Sequence, residues 1–149
     1  MTEQRLVSDL SEWLLARGFS VTEERQDGGF EDILLRFIGE GCEVHLIRQR
    51  GSWNITLSTS AGEPKLPPRI WRYYLDRVPM EVTLAERSES FESESAFVQG
   101  RLHEVIAAVQ SDENIEERLV EINWTIVKDR LGLDPGMPRP GQPESGTSH

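Results

Sequence analysis

The chain has 149 residues with 26 acidic and 16 Lys/Arg side chains, a net charge of −10. That length suits one compact domain able to fold without metals or disulfides. The lone cysteine, Cys42, excludes an intramolecular disulfide and any multi-cysteine zinc site. No apolar run nears the ~20 residues needed to cross a bilayer, and the N-terminus opens straight into an amphipathic pattern, so the expectation is a soluble cytoplasmic protein.

In chain order, Leu6, Val7, Leu10, Trp13 and Leu14 recur at helical spacing from Thr2 to Arg17, and Gly18 stands where a left-handed residue ends a helix. Phe19 to Thr22 fits a short edge strand, and Glu23 to Gly29 reads as a polar turn. Phe30 to Ile38, Cys42 to Arg48 and Trp53 to Ser58 form three strand-like runs joined by hairpin-length connections, an antiparallel meander. Alternation places Ile33, Leu35, Phe37, Val44, Leu46, Trp53, Ile55 and Leu57 on apolar faces. Asp32, Arg36, Glu43, His45, Asn54, Thr56 and Ser58 take a polar, half-solvated face. Pro67-Pro68 opens a short helix over Arg69 to Arg77. Met80 to Leu84 leans to strand because Val82 and Leu84 alternate, while the serines and glutamates of Ser88 to Ser95 resist assignment. Helical stripes return over Ala96 to Gln110 and from Ile115 through Leu131, with Ser111-Asp112 as interruption and N-cap, which predicts an antiparallel helix pair. From Asp134 the Pro/Gly/Ser-rich tail has too little apolar area to order itself.

The predicted fold class is therefore α+β: an N-terminal helix, an antiparallel β-meander, a short helix and a C-terminal helix pair packed on one sheet face. The domain spans residues 1–133, with a disordered tail at 134–149. Leu10, Leu14, Leu35, Phe37, Leu46, Trp53, Ile55, Val105, Leu119 and Ile122 are the expected core.

Sites of chemistry are scarce. Cys42 and His45 lie three apart on a strand and point to opposite faces, so they form neither a zinc pair nor a thiol and base dyad. His103 lies on a helix surface and His149 at the terminus. Gly28-Gly29 and Gly39-Glu40-Gly41 lack the spacing and following helix of a phosphate loop. Adjacent carboxylates such as Glu23-Glu24 and Glu116-Glu117 have no sequence reason to be desolvated, which acid/base catalysis requires. No catalytic residue, metal or cofactor is expected.

Charge is more informative. Pro79 to Ile122 carries eleven acids against three bases, a net of −8. A localised negative field repels nucleic acid and anionic membrane and attracts basic surfaces. The residues expected to meet a partner are Glu86, Glu89, Glu92, Glu94, Glu113, Glu116 and Glu117. Arg48, Arg50, Arg69, Arg72 and Tyr73 join them, as arginine and aromatic side chains of the kind that anchor interfaces.

The stretch Val44 to Leu57, a strand, an Arg-x-Arg-Gly-x-Trp turn and a returning strand, resembles a segment of small bacterial proteins that include immunity proteins of toxin systems. The resemblance covers a short part of the chain and implies neutralisation of a toxin by binding, with no catalytic residues. In outline, a helix followed by a meander and further helices also resembles type III secretion chaperones, which implies a dimer with an apolar client groove. The expectation is an acidic interaction protein for a basic protein partner, with no nucleic acid and no membrane. The rivals are a small chaperone and a small hydrolase or transferase in which acids and His45 converge only on folding.

Overall fold

A computed structural model of the chain describes residues 2–26, 32–86 and 89–140. Helix α1 (Glu3–Ala16) starts at Thr2, whose hydroxyl accepts the Arg5 N–H at 3.3 Å, and stops at Gly18 with φ +96°. Its stripe Val7, Leu10 and Leu14 is buried. Four strands follow, β1 (Ser20–Gln26), β2 (Asp32–Gly39), β3 (Cys42–Gln49) and β4 (Ser52–Thr59), in one antiparallel sheet of order β1-β2-β3-β4. β1 corrects the reading of Glu23 onward as a turn: Glu23, Glu24 and Arg25 pair in register with Leu35, Leu34 and Ile33. It is an edge strand exposed to water, so it carries charges that discourage edge-to-edge association and shows no apolar alternation. Asp27 to Gly29, also assigned to the turn, and Phe30, the expected start of β2, lie outside the described residues.

Register fixes the faces. Leu35, Leu46 and Ile55 are neighbours across the sheet, as are Phe37, Val44 and Leu57. This inner face is covered by helices. After β4, Leu66 exchanges backbone hydrogen bonds with Leu57, and Pro68 then opens α2 (Pro68–Asp76). The Trp71 indole N–H donates to the Leu57 carbonyl at 3.2 Å, tying α2 to the strand.

Met80 to Ala85 is a helix, α3, where alternation predicted a strand. Pro79 starts it, Thr83 is buried and Val82 is exposed, the reverse of the expected alternation, and the Thr83 hydroxyl bonds back to the Met80 carbonyl. Helix α4 (Phe91–Ser111) begins inside the serine and glutamate run: the Ser90 hydroxyl accepts the Ser93 N–H, and Glu92 and Glu94 in the first turn favour the positive end of the helix dipole. Helix α5 is Ile115–Leu131. Its N-cap is Asn114; Asp112 instead caps the end of α4 and accepts the Asn114 N–H at 2.9 Å.

The two C-terminal helices form as expected. α2 touches both α4 and α5, and α4 lies on α1 and β4. At the end of β4 the Thr59 hydroxyl donates to Glu116 Oε1 on the first turn of α5, at 2.7 Å. Of the expected core, Leu35 and Ile122 are half-buried against it and the rest are buried; Ile70, Trp71 and Leu102 complete it. The described part of the tail, 134–140, lies back along α5: Trp124 Nε1 donates to the Met137 carbonyl and Arg139 pairs with Glu117. Residues 141–149, the rest of the expected disordered tail, lie outside the described residues. Among the described residues no helix is long and apolar enough to cross a membrane.

Candidate functional site

The acidic segment is two sites. Glu86 to Glu94 precede or open α4, and Glu113 to Glu117 follow it. The 21 residues of α4 separate the groups by about 30 Å at 1.5 Å per residue, several times the ~8 Å screening length at physiological salt. Each group therefore acts on its surroundings alone.

The first group is turned inward. Arg72 Nη2 donates to Glu86 Oε2 at 2.5 Å and to Glu89 Oε1 at 3.1 Å, and the Tyr73 hydroxyl donates to Glu86 at 2.9 Å. Arg72 and Tyr73 hold the Glu86 carboxyl below the usual range. Tyr73, Arg69 and Glu94, expected at the surface, are buried. The reason is local. α2 is short and packed on two sides, so Arg72 projects to the start of α4, where Glu86 and Glu89 pair with it, while Arg69 is buried with its Nη1 unpaired among the described residues. Glu94 receives the Ile55 N–H from the outer edge of β4, and burial, then the charge of Glu89, raises its carboxyl to about 7. Of the twelve expected partner residues, Glu86, Glu89, Arg72 and Tyr73 thus belong to an internal polar network, and Glu94 and Arg69 are buried beside it.

The second group faces out. Glu113, Glu116 and Glu117 are exposed beside the start of α5, as is Glu92 at the far end of α4. Glu92 and Glu113 form no ion pair among the described residues. Next to the second group, α2, α3, the end of α4 and α5 enclose an open groove of about 900 Å³ lined by Tyr74, Leu75, Val78, Met80, Ala108 and Ile122, with Arg77, Arg118 and Glu121 among its polar groups. The Tyr74 hydroxyl donates to Asp112, joining α2 to the α4–α5 turn; burial, then that bond, raises the phenol to about 12.

Of the hairpin arginines, Arg48 is half-buried opposite Ile33 and Trp53, and Arg50 is exposed at the turn with φ +51°. Neither forms an ion pair with the groups above among the described residues.

A further cluster lies on the outer sheet face. His45 is wholly buried, with Nε2 2.9 Å from Glu43 Oε1 and Nδ1 3.0 Å from Thr56 Oγ1. Burial lowers the His45 pKa despite the carboxylate beside it. The neutral ring therefore donates from Nε2 to Glu43 and accepts the Thr56 hydroxyl at Nδ1, leaving neither nitrogen unpaired. The Arg36 side chain comes within 3.5 Å of Glu43. The turn after β4 covers the cluster: a Cβ at Gly62 would lie 3.8 Å from both Glu43 carboxylate oxygens. The polar face was expected to be half-solvated, and at this point it is sealed. Glu43 and His45 are two apart on one strand and so share a face, a signal the sequence contained. A hydroxyl on a histidine held by a carboxylate is the order of groups that activates a nucleophile. Here the histidine has no exposed atom, and a cavity nearby, about 180 Å³ between Glu24, Asp32, Leu34, Ile47, Gln49 and Lys65, is lined by neither His45 nor Thr56. The cluster reads as a buried polar tie between β3 and β4. Cys42, on the inner face, is buried, and burial raises its thiol to about 12, far from a reactive thiolate. Among the described residues no group of three or more His, Cys, Asp or Glu side chains is placed to hold a metal ion.

Comparison with protein-family models, with curated proteins and with solved structures finds no match to this chain.

Proposed function

We propose that the protein is a non-catalytic binding protein for a basic protein partner, and that it engages that partner at the α5 end of the molecule, in the manner of an immunity protein that neutralises a cationic toxin. The observation that carries this reading is the juxtaposition of an open groove of mixed aromatic, aliphatic and polar lining with the exposed acids at the start of α5, of which Glu113 has no ion-pair partner among the described residues. Exposed charge speeds encounter, and a desolvated apolar contact slows dissociation. Glu86, Glu89 and Arg72 leave the proposed surface because their charges pair within the fold, and Glu94 and Arg69 because they are buried; the Tyr73 hydroxyl is held by Glu86 while its residue still lines the groove. Glu113, Glu116 and Glu117 remain in it. The resemblance of Val44 to Leu57 to immunity-protein segments supports the same class.

The test is a pull-down at low and high salt followed by association kinetics of the captured protein with the parent and with Met80→Glu, which places a charge in the groove. A basic protein, released by salt and bound markedly more weakly by M80E, is the expected result. Capture that is indifferent to both salt and M80E rejects the reading.

A further inference from the structure

The outward face of α5 is already occupied by a piece of this chain. Glu117, Glu121, Trp124 and Lys128 recur at spacings of four, three and four residues and share one helix face. Residues 134–140 run back along that face. Lys128 Nζ donates to the Pro135 carbonyl at 2.5 Å, Trp124 Nε1 to the Met137 carbonyl at 2.9 Å, and Arg139 Nη2 to Glu117 Oε1 at 2.5 Å, with its Nε 3.8 Å from Glu121 Oε2. The segment is set for this by an Asp134–Met137 turn, in which the Met137 N–H bonds to the Asp134 carbonyl and the Gly136 N–H to its carboxylate. Two fixed donors thus read backbone carbonyls, and two carboxylates read a guanidinium. The Arg139 side chain is only 15% exposed, against 64% for Glu117, so its stem is covered while its acids stay open to solvent.

We infer that this face of α5 is a recognition surface for an arginine flanked by prolines and preceded by a turn that presents its carbonyls, and that Pro135 to Pro140 occupy it in cis as a competitor of a partner's segment of the same chemistry. The pattern suits such a ligand. Proline cannot donate, so its segment offers carbonyls without competing N–H groups, and its restricted φ lowers the entropy lost on docking. Glu121 also lines the groove, so a segment seated on α5 is continuous with the surface proposed above. The inference rests on that reading of the acidic surface. Tethering gives the tail an effective concentration on the order of mM, enough to suppress a weak ligand in trans.

The test uses the full chain. Arg139→Glu sets a carboxylate against Glu117 and Glu121 and should release the segment, seen as a shift and faster solvent exchange of the Trp124 indole N–H in NMR spectra. A synthetic peptide of residues 134–140 should then return that signal in R139E, with an apparent affinity several-fold tighter than for the parent. It should fail when its arginine is alanine, or when Glu117→Gln and Glu121→Gln are added to R139E. An indole signal unmoved by R139E, or peptide binding equal in parent and R139E, overturns the inference. Salt-sensitive capture of a basic partner that R139E leaves unchanged also removes it, while leaving the binding reading in place. An Arg139-dependent, peptide-competed signal in a protein that captures no basic partner has the opposite meaning.

Discussion

Glu43 and His45, two residues apart on β3, meet through Oε1 and Nε2 at 2.9 Å beneath the turn that carries Gly62, and the histidine is entirely out of water. Because burial lowers the His45 pKa, the unfolded chain binds a proton that the folded one refuses as pH falls below about 6.5. This contribution to stability is complete above pH ~6.5 and declines on acidification toward the native value, with a slope of at most ~1.4 kcal/mol per pH unit. Urea unfolding of His45→Gln across that range should show a flatter profile than the parent. An identical profile would mean that the ring is protonated in the fold.

Glu94 works in the opposite sense. Its carboxyl is raised to about 7, so the folded state holds a proton that the unfolded state has lost above about 4.5. That stability is fully present below the unfolded value and is lost as pH rises through about 7. Between the two values the His45 and Glu94 effects offset each other. Glu94→Gln keeps an acceptor for the Ile55 N–H and cannot ionise. It should be more stable than the parent at mildly alkaline pH, by about 1–3 kcal/mol, and should expose the full His45 decline at lower pH. Equal stability at alkaline pH would place the Glu94 carboxylate in water.

What the sequence disclosed follows the strength of the apolar pattern. The stripe of α1, the inner faces of β2 to β4 and the long stripes of α4 and α5 are readable because each element buries one side against the core. β1 was legible only at its start, since an edge strand with Glu23, Glu24 and Arg25 in water has no burial to record. α3 misled because six residues hold too few apolar positions to separate a period of two from one of 3.6. The two C-terminal helices were readable, but not their contacts with α2: no local pattern says that α2 touches both α4 and α5. The candidate site divided in the same way. Net charge announced an acidic region, but pairing of Glu86 and Glu89 with Arg72 depends on residues 14 and 17 positions apart that only the fold brings together.

That pairing is testable. Arg72 serves Glu86 and Glu89 at once, and its guanidinium lies 4.9 Å from the Tyr73 ring centroid. All three charged side chains are partly open to solvent, so the network is discounted toward surface values. Arg72→Ala should destabilise by about 1 kcal/mol and Arg72→Lys by less, because lysine keeps the charge but loses the planar guanidinium that lies over the Tyr73 ring. Chemical denaturation measures both. A neutral R72A would show that the α2 arginine is surface decoration.

The separation of the two acidic groups gives the sharpest expectation for binding. Glu113 and Glu92 are both exposed and stand at opposite ends of α4, about 30 Å apart. With screening near 8 Å, a partner docking at the α5 end feels Glu113 and scarcely feels Glu92. Reversal of Glu116 is a poor probe, since its carboxylate accepts the Thr59 hydroxyl and ties α5 to the sheet; Glu117 is compromised by Arg139. Glu113→Lys should therefore slow association with a basic partner several-fold at low salt and progressively less as salt rises, with dissociation and melting temperature unchanged. Glu92→Lys, an equal change in net charge, should leave the rate nearly unaltered. If the two variants slow association equally, the partner responds to overall charge and has no preference for the α5 end; if Glu92→Lys alone slows it, the docking surface lies at the other end of α4.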